Sequence, residues 1–163
     1  MELRRDPITN SWMLVEDLED GTEAKADEPC PYCSGTAGKL IYALPDSAVR
    51  VHPHPRPVYR IEGDEGRSGE GMYDRMHTIG AHEVVIENGV HERTISVAAD
   101  GEVEKVLLAF ANRITDLKKD TRFRYVAVVK NRGRLAGADI GHAHAEITAT
   151  PFIPRRLDRK SVV

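Results

Sequence analysis

The 163-residue sequence predicts an α+β fold in which an antiparallel sheet is covered by one long helix. An amphipathic segment, residues 102–119, has the period of an α-helix. Two strand-like segments follow it, residues 122–131 and 142–150, and the glycine-rich connection between them favours antiparallel pairing. Because this length is ordinary for one domain, we expect a single domain over residues 1–163.

The elements before the helix are predicted from strand-forming residues and prolines. Residues 11–18 predict a short strand, and residues 39–44 a strand or a buried segment. Residues 49–61 carry prolines at positions 53, 55 and 57, which exclude a helix and favour an extended edge. Residues 62–72 are rich in glycine and charge, so we expect a mobile loop there. Residues 82–87, HEVVIE, predict a strand by their β-branched content.

The helix is predicted from an apolar stripe on one of its faces. The stripe consists of Val103, Val106, Leu107, Phe110, Ile114 and Leu117. Asp100 is a favourable N-cap, and Lys118 and Lys119 suit the negative end of the helix dipole. We expect this apolar face to lie on the sheet.

Charge and hydropathy exclude several kinds of partner. A net charge of −3 and a pI of about 6.2 leave no electrostatic footprint for nucleic acid, so we expect no nucleic-acid partner. No segment has the character of a membrane span or a signal peptide, so we expect a soluble, cytoplasmic protein that does not bind membranes. Two cysteines are too few for a disulfide framework; Cys30 and Cys33 form either a redox pair or half of a metal site.

The segment GADIGHAHAEI, residues 137–147, carries three titratable side chains at alternate positions. On a strand, His142, His144 and Glu146 would share one face, with alanine and isoleucine on the other. Such alternation is also typical of an edge strand with one solvated face. For an isolated pair of histidines, this alternative explanation stays open. Structural zinc takes four ligands, so the two cysteines would need histidines to complete a site.

The connection before these histidines, KNRGRLAGADIG at residues 130–141, has the composition of a phosphate-binding loop. Glycines let backbone N–H groups approach a ligand, and concave arrays of N–H groups favour anions. Asn131 and Arg132 add side-chain donors beside Gly133. Glycine-rich loops between strands are common, so this feature alone does not establish a phosphate site.

Five segments in order resemble the N-terminal half of the galactose-1-phosphate uridylyltransferase family, within the histidine-triad superfamily. They are RRDPITNSWMLV, CPYCSG, VHPHPRPVY, GAHEVVIENGVH and VVKNRGRLAGADIGHAHAEI. The resemblance implies a histidine-triad-like antiparallel sheet with a covering helix, corresponding to one half of such an enzyme. Because the family's enzymes carry a second, similar half, the chain is expected to be a fragment of a longer protein or to form a homodimer.

The resemblance also implies a role for each matched residue. Four residues would bind structural zinc: Cys30, Cys33, His91 and His142. His77 and His82 compete with His91 for its place, and the family's spacing favours His91. His144 would attack the α-phosphorus of a nucleotide sugar and pass the nucleotidyl group to a sugar phosphate or to phosphate. Five residues would contact substrate: Asn131, Arg132, Gly133, Asp139 and His54.

Three matched positions depart from the family's pattern. Glu146 stands where the family has glutamine, Asp139 where it has serine, and His54 where it has an asparagine near the ribose. Like charges about 4 Å apart cost roughly 4 kcal/mol at an effective dielectric constant near 20, so both carboxylates oppose a bound phosphate. Arg132 and Arg134, a divalent ion, or protonation of a buried Glu146 would compensate.

Glu146 also leaves two other functions open. As a general base acting on water it would favour a hydrolase of nucleotide phosphoanhydrides over a transferase. A zinc-stabilised nucleotide-binding module without transfer activity is the other alternative. Of the three, we expect a nucleotidyltransferase acting through His144, because five matched segments support it.

Overall fold

Two antiparallel sheets and one long helix make up the computed structural model, which describes residues 1–16 and 29–158. In chain order the strands are β1 (Glu2–Arg5), β2 (Trp12–Val15), β3 (Tyr42–Ala43), β4 (Arg50–Pro53), β5 (Ser68–Glu70), β6 (Tyr73–His77), β7 (Ala81–Ile86), β8 (Tyr125–Val129) and β9 (His144–Thr150). The α-helices are α1 (Pro31–Ser34) and α2 (Asp100–Leu117). One sheet has the order β2-β1-β6-β5 and the other β3-β4-β7-β9-β8. The predicted α+β class is confirmed.

The five-stranded sheet contains the strands that the sequence predicted most clearly. β7 lies within one residue of the predicted strand at 82–87, and all six of its residues are buried. β8 and β9 pair antiparallel, with Tyr125 opposite Thr150, which confirms the predicted pairing. In the four-stranded sheet, β2 lies inside the predicted strand at 11–18, of which residues 17 and 18 lie outside the described residues.

The four-stranded sheet contains strands that the sequence did not predict. β1 has one apolar residue, Leu3, which is buried where β1 pairs with β2 and β6. A four-residue strand with a single apolar position is too short to show a period. β5 falls within residues 62–72, so part of the predicted loop is a strand paired with β6. Mobility of this loop stays a prediction, as does the single domain over residues 1–163.

The helix starts and ends close to the predicted positions, but its cap differs. Ala99 is the N-cap and Asp100 is the first helical residue, so the predicted capping role of Asp100 is wrong. Glu102 supplies the cap instead, because its carboxylate accepts the Ala99 N–H at 2.9 Å. The helix ends at Leu117, and Lys118 follows as its C-cap.

The buried face of α2 is less apolar than the predicted stripe. Val106, Ala109 and Leu117 are buried in the main core, whereas Leu107 is 55% exposed and lies outside that face. Arg113 is buried instead, and its guanidinium donates to both carboxylate oxygens of Glu83 on β7 at 2.7 and 2.8 Å. This ion pair joins the helix to the centre of the sheet.

The larger sheet has an apolar face and a polar face, because side chains alternate along each strand. The apolar face packs against α2 through Val51, Val85 and Ile147. The opposite face carries the histidines of β4, β7 and β9, together with Glu146. Across the described residues, no helix combines the length and apolar character needed to cross a membrane.

Candidate active site and metal cluster

The two cysteines sit on a single helical turn that aims both sulfurs in one direction. α1 begins directly after Cys30, and the N–H groups of Cys33 and Ser34 both donate to the Cys30 carbonyl at 3.1 Å. Pro31 suits the first helical position because no intrahelical partner exists there for an N–H. Gly35 ends the turn with a φ of 73°, a left-handed conformation that glycine adopts readily.

His91 and His142 meet these sulfurs at distances that fit one tetrahedral ion. Zinc–sulfur and zinc–nitrogen bonds of about 2.3 and 2.05 Å at a tetrahedral angle separate sulfur from nitrogen by about 3.6 Å. Nδ1 of His142 lies 3.6 Å from the Cys30 sulfur and 3.4 Å from the Cys33 sulfur. Nδ1 of His91 lies 3.5 Å from the Cys33 sulfur. The donor set and its spacing therefore fit zinc.

Hydrogen bonds orient the His142 imidazole and tie the segment that carries His91 to the histidine motif. Nε2–H of His142 donates to the Asn88 carbonyl at 2.9 Å, which leaves the Nδ1 lone pair facing the sulfurs. Burial lowers the pKa of His142, so the ring is neutral at pH 7, as a metal ligand must be. The Ala143 N–H donates to the His91 carbonyl at 3.0 Å, which ties the loop after β7 to the segment before β9.

Of the three histidines that competed for one position, only His91 reaches the cysteines. His82 is buried on β7 and faces Glu146. His77 is exposed at the end of β6, beside Asp64. The geometry therefore favours His91, in agreement with the family's spacing.

The second histidine of the motif begins β9 and points away from the metal cluster. The strand starts at His144 rather than at His142, so the predicted shared face is right only for His144 and Glu146. Nδ1–H of His144 donates to the His142 carbonyl at 2.7 Å, which leaves the lone pair on Nε2. His144 is 3% exposed, and its Nε2 has no hydrogen-bond partner among the described residues.

Lys130, at the end of β8, fixes the backbone around this histidine. Its ammonium group forms an ion pair with the buried Glu87 and donates to the His144 carbonyl at 3.2 Å. No feature of the sequence singled out either residue. Glu87 directly follows β7 and Lys130 directly follows β8, the two strands that flank β9, so only strand pairing shows that they meet.

Glu146 lies between two histidines. Its Oε1 is 3.6 Å from Nε2 of His144, and its Oε2 accepts Nε2–H of His82 at 3.0 Å. The Val58 N–H donates to Nδ1 of His82 at 3.3 Å, which places the His82 proton on Nε2. Burial lowers the pKa of His82, although the bond to Glu146 partly opposes this shift. A neutral His82 therefore holds Glu146 beside His144.

Asp139 and His54 adjoin the same group of side chains. The His54 ring stacks on the His82 ring, with centroids 4.0 Å apart and planes 3° from parallel. Asp139 places Oδ1 at 3.4 Å from Nε2 of His54 and accepts a hydrogen bond from Arg56 at 2.9 Å. Although burial opposes ionisation of Asp139, His54 and Arg56 lower its pKa. The three departures from the family pattern thus form one contiguous cluster.

Arg56 is the functional neighbour that sequence reasoning missed. Arg132 and Arg134 were one of three ways in which the sequence could compensate the two carboxylates, and Arg56, from the proline-rich segment after β4, was not among them; Arg56 makes the ion pair with Asp139. Asp139 is 83 residues away along the chain, so no local pattern links the two positions. In the structure the ion-pair partner of Asp139 is Arg56.

The glycine-rich connection, residues 130–141, uses some of the backbone N–H groups that we expected to bind phosphate for hydrogen bonds within its own turn. Gly133 and Gly137 have positive φ values of 78° and 87°, which allow the tight turn around a short 3-10 helix, Arg134–Ala136. The N–H groups of residues 136–138 donate to carbonyls within this loop. Asn131 lies beside Gly137, and Arg132 is exposed.

Fold and site together define an α+β domain whose larger sheet carries histidines on one face, beside a group of two cysteines and two histidines that could hold a metal ion. The family model for the galactose-1-phosphate uridyl transferase N-terminal domain matches residues 52–154, more than half of the chain. The chain therefore belongs to the galactose-1-phosphate uridyl transferase family.

Individual relatives agree with this assignment. The ADP-glucose phosphorylase of Arabidopsis thaliana is 28% identical, over 94% of this chain and 49% of its own length. A solved uridylyltransferase structure is 26% identical with a TM-score of 0.76, covering 99% of this chain and 50% of that one. An ADP-glucose phosphorylase from Arabidopsis thaliana, solved with bound ADP-glucose, is 25% identical with a TM-score of 0.68, covering 95% and 50%. The chain thus spans about half the length of these relatives.

A histidine triad nucleotide-binding protein from Sulfolobus tokodaii shares the fold. It is 19% identical, has a TM-score of 0.51 and covers 77% of this chain and 78% of its own. At this identity the likeness shows the fold alone. It agrees with the histidine-triad-like sheet that the sequence predicted.

Proposed function

We propose that this chain is one half of a nucleotidyltransferase that works through a covalent nucleotidyl-histidine on His144. Nε2 of His144 attacks the α-phosphorus of a nucleotide sugar, and the bond from phosphorus to the bridging oxygen breaks. The departing sugar phosphate carries that electron pair. A second sugar phosphate, or phosphate, then attacks the same phosphorus and releases His144.

The observation that carries this proposal is the state of the His144 ring. Its Nδ1–H bond to the His142 carbonyl puts the lone pair on Nε2, and this atom has no hydrogen-bond partner among the residues described. A neutral imidazole with an uncommitted nitrogen is a nucleophile at pH 7. Lys130 donates to the backbone carbonyl of His144 itself, so both the ring and its backbone are held before substrate arrives.

In this proposal a zinc ion held by Cys30, Cys33, His91 and His142 has a structural role. Zinc would supply a fixed tetrahedral crosslink, because four protein ligands leave no open position. His142 lies two residues before His144, so the crosslink would anchor the start of β9. Without a cation, desolvation and the adjacent Cys30 raise the pKa of Cys33, which makes a pair of thiolates unfavourable.

The substrates and the partner chain belong to the same proposal. Asn131, Arg132, Gly133 and Asp139 would contact the phosphates, and His54 the ribose, as the family resemblance implies. The Arabidopsis relative was solved with ADP-glucose, which supports a nucleotide sugar as donor. Because the relatives are twice as long, a second half or a second copy of the chain would complete the sugar-phosphate pocket.

The test is the intact mass of the purified protein after incubation with UDP-glucose, ADP-glucose or diadenosine tetraphosphate. Neutral to alkaline pH is required because phosphoramidates are acid-labile. We expect a nucleotidyl adduct on the wild type and none on His144→Ala, with unchanged zinc content. His77→Ala is the matched control, since this histidine is exposed and lies outside the site. An adduct that survives His144→Ala would refute the assigned nucleophile.

A hydrolase is the second candidate, and the position of Glu146 favours it. A carboxylate 3.6 Å from the nucleophilic nitrogen could take a proton from water and direct it to the nucleotidyl-histidine. Release of nucleoside monophosphate without an acceptor, lost in Glu146→Gln, would select this function. Bound zinc and bound nucleotide without turnover or adduct would select a binding module instead.

A further inference from the structure

Residues from both sheets line a polar cavity at the end of β9 that is remote from His144. Its volume is about 440 Å³, which is within the usual range of small-molecule sites. β9 runs from His144 to Thr150, and Pro151 and Phe152 of the cavity wall follow it directly. At about 3.4 Å per residue, the two ends of this strand are about 20 Å apart. The cavity is therefore separate from the site around His144, and the proposed transfer reaction does not use it.

Four arginines from four separate segments line this cavity. They are Arg5 on β1, Arg67 directly before β5, Arg124 directly before β8, and Arg155 after β9. A guanidinium group keeps its positive charge at physiological pH and binds phosphate oxygens through parallel hydrogen bonds. Four such groups around one cavity favour a ligand that carries a phosphate.

Carboxylates balance these charges only in part. Asp74 on β6 accepts hydrogen bonds from Arg5 at 3.1 Å and from Arg67 at 3.4 Å, so one carboxylate serves two guanidinium groups. Glu65 and Asp158 lie on the cavity wall itself. Four positive groups therefore face three negative ones, and the cavity keeps an excess of positive charge.

Arg124 is the arginine of this group that is best placed to meet a ligand. Its guanidinium group has no hydrogen bond or ion pair within the part of the chain that the structure describes, and the residue is exposed. Its backbone N–H donates to the Thr150 carbonyl at 2.8 Å, which fixes Arg124 beside the end of β9. Arg155 donates to the carbonyl of Thr9, a neutral acceptor, so this bond leaves its charge unbalanced.

The aromatic part of the wall suits the carbon skeleton of a small ligand. The ring centroids of Trp12 and Phe152 lie 6.0 Å apart, and the Arg67 guanidinium lies 5.7 Å from the centroid of the Trp12 ring. Met76 on the same wall is buried. Aromatic rings and a thioether offer apolar surface, so the cavity combines charged and apolar contacts in one place.

We propose that this cavity binds a small phosphate monoester, of the size of a hexose phosphate, at a second anion site about 20 Å from His144. Arg124 and Arg155 hold the phosphate, and Trp12 and Phe152 contact the carbon skeleton. The ligand joins the end of β9 to the four-stranded sheet, and none of its bonds is broken there. Because binding needs neither a nucleotide nor an adduct, this proposal is independent of the proposed function.

The test measures the fluorescence of Trp12, the only tryptophan in the chain, in the purified full chain. Trp12 lies on the cavity wall, so a ligand bound there changes its emission. Sugar phosphates and inorganic phosphate do not absorb in the tryptophan band. We expect a saturable change with glucose 1-phosphate, a weaker affinity for inorganic phosphate and no change with glucose. Glucose bound as tightly as glucose 1-phosphate would overturn the assignment to an anion.

Two variants locate the binding site. Arg124→Gln and Arg155→Gln should each weaken the binding of glucose 1-phosphate at least about tenfold, because each removes a charged donor to the phosphate. Arg4→Gln is the matched control. It removes the same charge one residue from Arg5 but on the other face of β1, where the Arg4 side chain is 58% exposed and pairs with Glu2.

The control variant should bind glucose 1-phosphate as the wild type does. Melting temperature identifies any variant that fails to fold, and the two site variants serve as checks on each other. Equal affinity in the wild type and both site variants would overturn the site, and so would a wild type that shows no binding by fluorescence and by calorimetry. Neither result bears on whether His144 forms an adduct.

Discussion

Replacing Glu146 by glutamine should tighten nucleotide binding when no divalent cation is added. The substitution removes one negative charge beside the place where the α-phosphate would meet Nε2 of His144. Glutamine can still accept the hydrogen bond from His82, because its amide oxygen can take the position of Oε2. The change therefore tests charge rather than shape, and it restores the residue that the family has here.

The size of the effect follows from the distance. Oε1 of Glu146 lies 3.6 Å from Nε2 of His144. If the phosphate charge lies about as far from this carboxylate as Nε2 does, two unit charges repel by about 5 kcal/mol at an effective dielectric constant of 20, and by about 1 kcal/mol in bulk water. The Glu146 side chain is only 20% exposed, so the energy at a dielectric constant of 20 is the better guide. We expect at least about a tenfold gain in affinity, which corresponds to about 1.4 kcal/mol.

The assay is calorimetric titration with UDP and with ADP in a His144→Ala background, which prevents covalent reaction. Glu104→Gln in the same background should bind as its parent does, because that residue lies on the far side of the sheet. Equal affinity of the two proteins in cation-free buffer would show that the carboxylate does not repel the phosphate, and the electrostatic argument would fail.

Other substitutions test the metal cluster, the core and a close backbone contact. Cys30→Ser or Cys33→Ser should each lose zinc and lower the melting temperature; full zinc and unchanged melting would exclude the cluster. Arg113→Met should cost about 3–5 kcal/mol in urea unfolding because it leaves Glu83 buried and unpaired, and adding Glu83→Leu should recover much of this loss. Gly80→Ala should cost about 1–3 kcal/mol, since its methyl group would overlap a β9 carbonyl; unchanged unfolding would contradict that contact.

The elements that the sequence predicted well are those with a strong local signal. The period of α2 and the β-branched content of β7 and β8 are properties of neighbouring residues, and the structure has all three elements. β1 and β5 have three or four residues each and no period, so they form only because partner strands pair with them. The exposure of Leu107 has a related cause, since the sheet covers only part of the helix surface.

The candidate site also contains both residues that the sequence identified and residues that it did not. The cysteine pair, the two histidines of the motif and the order of five matched segments could be recognised from the sequence because each is a short pattern. The partners of Glu146 and Asp139 could not be recognised. His82 is 64 residues from Glu146, and Arg56 is 83 residues from Asp139.

The sequence by itself determined the fold class, the long helix, the central strands and the resemblance to one family, because local period and motif order carry that information. Only the tertiary structure decided that the three unusual residues His54, Asp139 and Glu146 are neighbours. It also decided that Arg56 pairs with Asp139 and that His82 donates to Glu146. The physical reason is strand register: pairing of β4, β7 and β9 sets which distant side chains meet on the polar face.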